Sequence, residues 1–229
     1  MHKNSRQTGE SGHAILEFAL VGSFLVPLFG ISFTMGMMLQ KGIQVGNVSR
    51  DAVVLMARGT QDPKRVSLDL SKPANQALLM RAANGLGMNK SDWSPDPNGN
   101  GAIILSKVIH VGANECAAGI VPAPGGAPPW NTGNCPNYDS YVYMAHIAMG
   151  NTTKFSSALG GSPQNVQSDG SIPAATIASN TGDQVTGFNS VATFPRGVYA
   201  VISEVFADVS YLNLFSIMKT PILYARNLS

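Results

Sequence analysis

FALVGSFLVPLFGISFTMGMML, residues 18 to 39, is a run of 22 residues without a charge. At 1.5 Å rise per residue a helix over it would be roughly 33 Å long, enough to cross a bilayer core of about 30 Å. A cleaved secretory signal would instead carry an apolar region of only about 7–15 residues, followed by a small-x-small site. The next residues, QKGIQVGNVSRDA (40–52), offer no such site. The run therefore reads as a membrane-spanning helix. Lys3 and Arg6 precede it, which predicts a cytoplasmic N-terminus and an extracytoplasmic remainder.

Helical periodicity does not stop with the apolar run. From Gln40 onward, Val45, Val48, Ala52, Leu55 and Met56 share one face, while Gln44, Asn47, Arg50, Asp51 and Arg58 gather opposite. Ile43 and Val54 interrupt the polar side. Gly59, followed by Asp62-Pro63, is the expected stop. The expectation is one helix over 13–58, apolar all round at first and one-faced afterwards. Pro27 lies inside it, where a missing N–H should kink or locally unwind it.

The remaining 59–229 read as an α+β domain. A second helix is expected over 74–84, ended by Gly85 or Gly87. Strands are expected over 103–111 (IILSKVIHV), 141–149 (YVYMAHIAM) and 198–211 (VYAVISEVFADVSY), with a short edge strand near 222–225. In the third strand Glu204, Asp208 and Ser210 fall on one face, and Tyr199, Val201, Val205, Val209 and Tyr211 on the other. That alternation predicts an antiparallel sheet with one wet face and one covered by the amphipathic half of the long helix. Residues 112–140 and 150–197 read as long irregular loops, of the length that is functional or disordered in compact domains.

Composition narrows the chemistry. Charged residues are only 12% and the net charge is +2, so no nucleic-acid partner is indicated, and no basic run with interleaved aromatics occurs. Gly, Ser, Asn, Thr and Pro take the place of charge, as on a loop-rich exported surface. Cys116 and Cys135 are an even count in such a domain and are expected to form a disulfide. Closing that loop contributes roughly 3 kcal/mol by chain entropy. A metal site joining them to His110 and His146 is the alternative, but the cysteines lack a Cys-x-x-Cys unit and both histidines lie mid-strand. Asp96, Asn98, Asn100 and Gly101 match half of a calcium loop, yet its twelfth position is Lys107 where a glutamate is needed, so they read as a turn. No metal and no cofactor is expected. No nucleophile elbow, zinc-protease helix, phosphate-cradling loop or close carboxylate pair is present in the sequence, and the chain is expected not to be an enzyme.

One residue in the N-terminal region needs its own explanation. Glu17 stands in SGHAILEFAL (11–20), five places after Gly12 and at the mouth of the apolar run. A glycine with a glutamate five residues on, ahead of such a helix, resembles the type IV pilin family. More closely, Gly12, Glu17-Phe18-Ala19-Leu20 and Pro27 are similar to the N-terminus of TadE-like pseudopilins of the tight-adherence (Flp-type) pilus. Asn47, Arg50 and Ala52 match that family's Asn-x-x-Arg-x-Ala stretch. SEVFADVSY (203–211) and LYAR (223–226) resemble its Glu-Val-aromatic and closing aromatic–arginine strands. The likeness covers about 45 N-terminal and about 25 C-terminal residues. Where members favour a small residue after the scissile bond, this chain has His13.

The resemblance implies a role for each matched residue. A prepilin peptidase would cut between Gly12 and His13, removing a cytoplasmic leader of residues 1–12. Glu17, beside Phe18, would then pair with a freed amine and set axial register, whereas a residue merely at headgroup level would only sit near water and the helix N-terminus. The implied protein is a minor, non-catalytic assembly subunit of a pilus or related secretion filament. It would be single-pass in the inner membrane, with its C-terminal domain periplasmic or, in the fibre, extracellular. Its implied partners are the peptidase, other pseudopilins, the major pilin, the inner-membrane assembly platform and the lipid bilayer. The rival reading is a permanently anchored periplasmic module that binds a ligand or envelope component through its long loops.

Overall fold

The computed structural model describes residues 7–58, 77, 79–81, 83–88, 96–119, 129–212 and 222–229. The first element, α1 (Gln7–Arg58), is a single helix of 52 residues that runs through Pro27. It begins six residues before His13. Its membrane-length half is bare: Phe18 is 80% exposed, and Phe24, Val26 and Phe29 are similarly open. Hydroxyls in this half turn back on their own helix, Ser23 to the Leu20 carbonyl at 2.7 Å and Thr34 to that of Gly30 at 2.7 Å. An apolar surrounding makes that self-satisfaction necessary. The helix is long and apolar enough to cross a membrane.

The distal half of α1 has one dry face, as its periodicity predicts. Val45, Val48, Ala52 and Met56 are buried, together with Ser49 and Val53, while Asn47, Arg50 and Asp51 are exposed. That face packs on a four-stranded antiparallel sheet in the order β2-β1-β3-β4. The strands are β1 (Gly101–His110), β2 (Tyr141–Gly150), β3 (Tyr199–Asp208) and β4 (Ile222–Leu228). Register selects which side chains meet the helix. Ile103 of β1 lies opposite Met149 of β2 and Val205 of β3, and all three join the α1 core with Leu105, Ile147 and Val201. The architecture is α+β, as the sequence reading expected. Of the expected second helix, residues 79–81 are helical and Leu79, Ala83 and Leu86 enter the same core. Gly85 and Gly87 adopt φ of 89° and 76°, a left-handed geometry that ends a helix. Gly59, Asp62 and Pro63 lie outside the described residues.

Three expectations need correction. The expected wet face is covered over β1 to β3: Glu204 and Asp208, placed there by alternation, are 0% and 7% exposed, and only β4 keeps exposed side chains on that side among the described strands. Residues 150–197 cover that face instead of standing off as an irregular loop. Phe155, Leu159, Ile172 and Phe188, spaced too widely to register as an element, are all buried, and a short helix α3 (Ala174–Ile177) lies among them. The same segment lines the outer edge of β2 through isolated bridges at Val142–Gln184 and Ala145–Ser171. Second, β3 stops at Asp208 and not at Tyr211, because the Asp208 carboxylate accepts the Ser210 N–H at 2.7 Å and starts a 3₁₀ turn. Third, residues 112–140 hold a helix, α2 (Ala113–Gly119), where Glu115 accepts the Gly112 N–H at 2.8 Å.

Core packing of α1 generates a stability prediction. Met56 is fully buried at the helix–sheet contact. Met56→Ala should destabilise the domain by about 2–5 kcal/mol through lost burial plus the residual cavity. Asn47→Ala, on the exposed side, should stay within about 0.5 kcal/mol of wild type. Denaturant unfolding of the full chain in detergent, followed by tryptophan fluorescence, measures both.

Candidate functional site

Gly12, His13, Glu17, Phe18 and Pro27 lie on α1, while Lys3 and Arg6 lie outside the described residues. Gly12 and His13 fall within the helix and not at its start. His13 and Glu17 are exposed and stand four residues apart, on one helix face, with exposed Leu16 and Phe18 beside Glu17. Glu17 has no cation partner among the described residues. The helix thus presents one carboxylate in an otherwise bare apolar segment.

The head domain has a polar centre that the sequence reading did not anticipate. Glu204, in the middle of β3, is buried under residues 155–160. Its carboxylate accepts the hydroxyl of Ser157, the Ala158 N–H at 3.1 Å and the Tyr224 hydroxyl at 2.8 Å, and it pairs with Arg226 at 3.2 Å. Arg226 is directly opposite Glu204 in the β3–β4 register, and Tyr224, two residues earlier, shares its face. A buried carboxylate is tolerable when it is this fully bonded. Burial pushes the Tyr224 hydroxyl up to about 12, helped by its bond to Glu204. One turn of strand away, Lys154 forms an ion pair with Asp208. Burial opposes ionisation of Asp208, but the Lys154 and Ser210 bonds win and hold it below its usual range. The charges that made β3 look half-wet are therefore the handles that residues 154–158 grip.

The two C-terminal stretches, SEVFADVSY and LYAR, meet here through Glu204, Tyr224 and Arg226. Asn47 and Arg50 do not join them, although the Ser49 hydroxyl reaches the Ser203 carbonyl at 3.2 Å from the other face. A glutamate inside an otherwise apolar strand was the available signal for this hub. Its partners lay about 20 and 45 residues away in the chain, with no spacing rule to connect them.

Beside the hub lies a cleft of about 460 Å³, bounded by β1, β2 and residues 152–162. His146 of β2 lines it. One ring nitrogen, Nδ1, is 3.1 Å from the buried Ser106 hydroxyl. Burial pulls His146 down to about 4, with the Glu204 charge acting in the opposite sense. Tyr143 donates its hydroxyl to the Gly160 carbonyl at 3.0 Å, and burial, with the Glu204 charge, raises it to about 12. Ser106 and His146 are within reach of each other, but Ser106 is 1% exposed and sealed from the cleft. Ser157 gives its proton to a carboxylate that three other groups already occupy, so it is not an activated nucleophile.

The other candidate positions fall out as follows. Cys116 on α2 and Cys135 are joined in a disulfide, both buried, with Cα atoms 5.8 Å apart. His110 is engaged by the Phe194 carbonyl at 2.7 Å and Asp139 at 3.1 Å, and His146 by Ser106. No group of three or more metal-ligating side chains occurs among the described residues. Asp96 to Gly101 form a turn, closed by the Gly99 N–H on the Asp96 carbonyl at 3.0 Å. Lys107 is a buried mid-strand residue whose ammonium lies 4.2 Å from the Tyr199 ring centre. No protein family, curated protein or solved structure matches this chain.

Two predictions follow from the hub and its neighbour. Glu204→Ala leaves Arg226 and two hydroxyls without their acceptor, at a cost of about 3–5 kcal/mol. Hydrogen exchange at residues 155–160 should rise well above that of β1 in this variant, and equal protection of the two would count against the hub. For His146 the folded value of about 4 lies below the ordinary 6.5. Between those values the unfolded chain takes up a proton that the folded one declines, so stability falls as pH drops from about 6.5 to about 4 and is unaffected above. The full loss is on the order of 3 kcal/mol. Thermal midpoints of wild type and His146→Gln across pH 4–7 measure it, and the variant should lose this part of the slope.

Proposed function

We propose that this chain is a TadE-like pseudopilin: a non-catalytic assembly subunit of a tight-adherence pilus or a related secretion filament. The observation that carries the reading is the division of α1. Its distal half is committed to the sheet, while residues 13–39 are apolar, largely exposed, and carry one carboxylate, Glu17. A parallel bundle of such helices would bury the proximal halves and leave each head folded. The same half suits the bilayer from which subunits are drawn.

Processing fits the local physics. A glycine inside a helix costs about 1 kcal/mol relative to alanine, which makes Gly12 a weak point where a peptidase can unwind α1. Cutting there frees the His13 amine one turn below Glu17, on the same helix face. In its own or a neighbouring subunit that amine offsets the cost of keeping a carboxylate in an apolar bundle. The N-terminus is then cytoplasmic, the head periplasmic or displayed on the fibre, and the partners are the prepilin peptidase, other pseudopilins, the major pilin and the membrane platform.

Gly12→Arg should leave an unprocessed, slower-migrating chain in cells that hold the peptidase. N-terminal sequencing of wild type should begin at His13, and a mature chain keeping Met1 sinks the reading. Glu17→Ala should reach the membrane as well as wild type, since removing a charge eases insertion. Its co-purification with partner pseudopilins should drop about tenfold or more, equivalent to about 1.4 kcal/mol. Undiminished recruitment would reduce Glu17 to a solvated residue at the membrane edge.

A further inference from the structure

We infer that the cleft between β1, β2 and residues 152–162 is a binding site for a neutral saccharide unit. It lies on the face of the sheet opposite α1, so it is independent of the assembly surface. Its volume of about 460 Å³ falls within the roughly 300–1,000 Å³ typical of small-molecule sites.

The lining selects the ligand class. The floor is apolar, formed by Ile104, Ala148 and Phe155. Around it stand the hydroxyls of Thr152, Ser156 and Ser162 and the ring of His146. Among the described residues no Asp, Glu, Lys or Arg lines the space, so these residues offer neither an anion nor a cation a counter-charge there. His146 stays neutral at any pH well above 4, because burial disfavours its charged form. Each hydroxyl both donates and accepts, and the neutral His146 ring, its Nδ1 engaged by Ser106, keeps Nε2 for one further hydrogen bond. Sugar hydroxyls have that dual character, and a pyranose ring carries an apolar C–H face suited to an apolar floor. An extended peptide is a poorer fit. The outer edge of β2 beside the cleft is already occupied, with the His146 backbone N–H donated to the Gly170 carbonyl at 2.9 Å.

The wall is fixed before any ligand arrives. Gly160 and Gly161 adopt φ of 74° and 75°, and a Cβ on Gly161 would lie 2.6 Å from the Gln184 carbonyl oxygen. Tyr143 holds the Gly160 carbonyl, the Gly187 N–H holds that of Leu159 at 2.7 Å, and Glu204 holds Ser157 and the Ala158 N–H. A rim pinned at three points loses little freedom on binding, which favours a weak polar ligand.

Saturation-transfer NMR on the full chain, in a zwitterionic detergent free of sugar headgroups, tests this. The probes are N-acetylglucosamine, N,N′-diacetylchitobiose and cellobiose, with N-acetyl-trialanine amide as a neutral peptide control. At least one sugar should receive saturation and the peptide none. Ser162→Trp and Ser156→Trp, both exposed rim positions, should fill the cleft and weaken sugar binding about tenfold or more, with unchanged thermal midpoints. Silence from all three sugars, equal binding by both tryptophan variants, or comparable binding of the peptide overturns the assignment. None of these outcomes touches processing at Gly12, which is read separately.

Discussion

The seating of one face of α1 on the sheet is the contact on which the rest of the structure depends. Val45, Val48, Ala52, Val53 and Met56 meet Ile103, Leu105, Ile147, Val201 and Val205 in a single core. At about 25 cal/mol per Å² of apolar surface removed from water, a row of fully buried aliphatic residues far outweighs any hydrogen bond nearby. Because α1 is unbroken, this contact also fixes the head relative to the apolar half. Ser49 is accommodated in the seam by giving its hydroxyl to the Ser203 carbonyl.

The opposite face is held by a different kind of interaction. There the apolar residues of the 150–197 segment, Phe155, Leu159, Ile172, Val185 and Phe188 among them, are scattered in sequence, and polar handles add to their burial. Glu204 and Asp208 together bind Ser157, the Ala158 N–H and Lys154. Arg226 and Tyr224 bring β4 into the same network. Apolar burial supplies stabilisation without direction, whereas these bonds supply direction, so a chain poor in regular structure still lies in one place.

What the sequence revealed follows the strength of periodic signals. Twenty-two uncharged residues, then a one-sided apolar pattern, define α1 through some fifty positions. The β-branched runs around Ile104, Val142 and Val201 define three strands, and the short stretch near 222–225 a fourth. The order of strands was beyond reach, since the placing of β3 between β1 and β4 is a long-range choice with no local trace. Burial of the Glu204 face was missed for a related reason. Alternation tells which residues share a face, not whether a distant loop will cover it. The disulfide was legible because two cysteines have one pairing, while the cleft, made by residues near 104, 146 and 157, existed in no window of the sequence.

The order in which the chain is made sets a constraint on how this architecture can form. The face of α1 that needs cover is synthesised first, but its cover includes β3 and β4, the last elements described. Strand β1 likewise finds β3 only after about ninety intervening residues. Contacts so distant in sequence close slowly, because the connecting chain loses much freedom before the contact rewards it. During that interval the distal half of α1 presents an uncovered apolar stripe. Completion of the head, through Val201 and Val205 of β3 and Leu223 and Ala225 of β4, is what covers it.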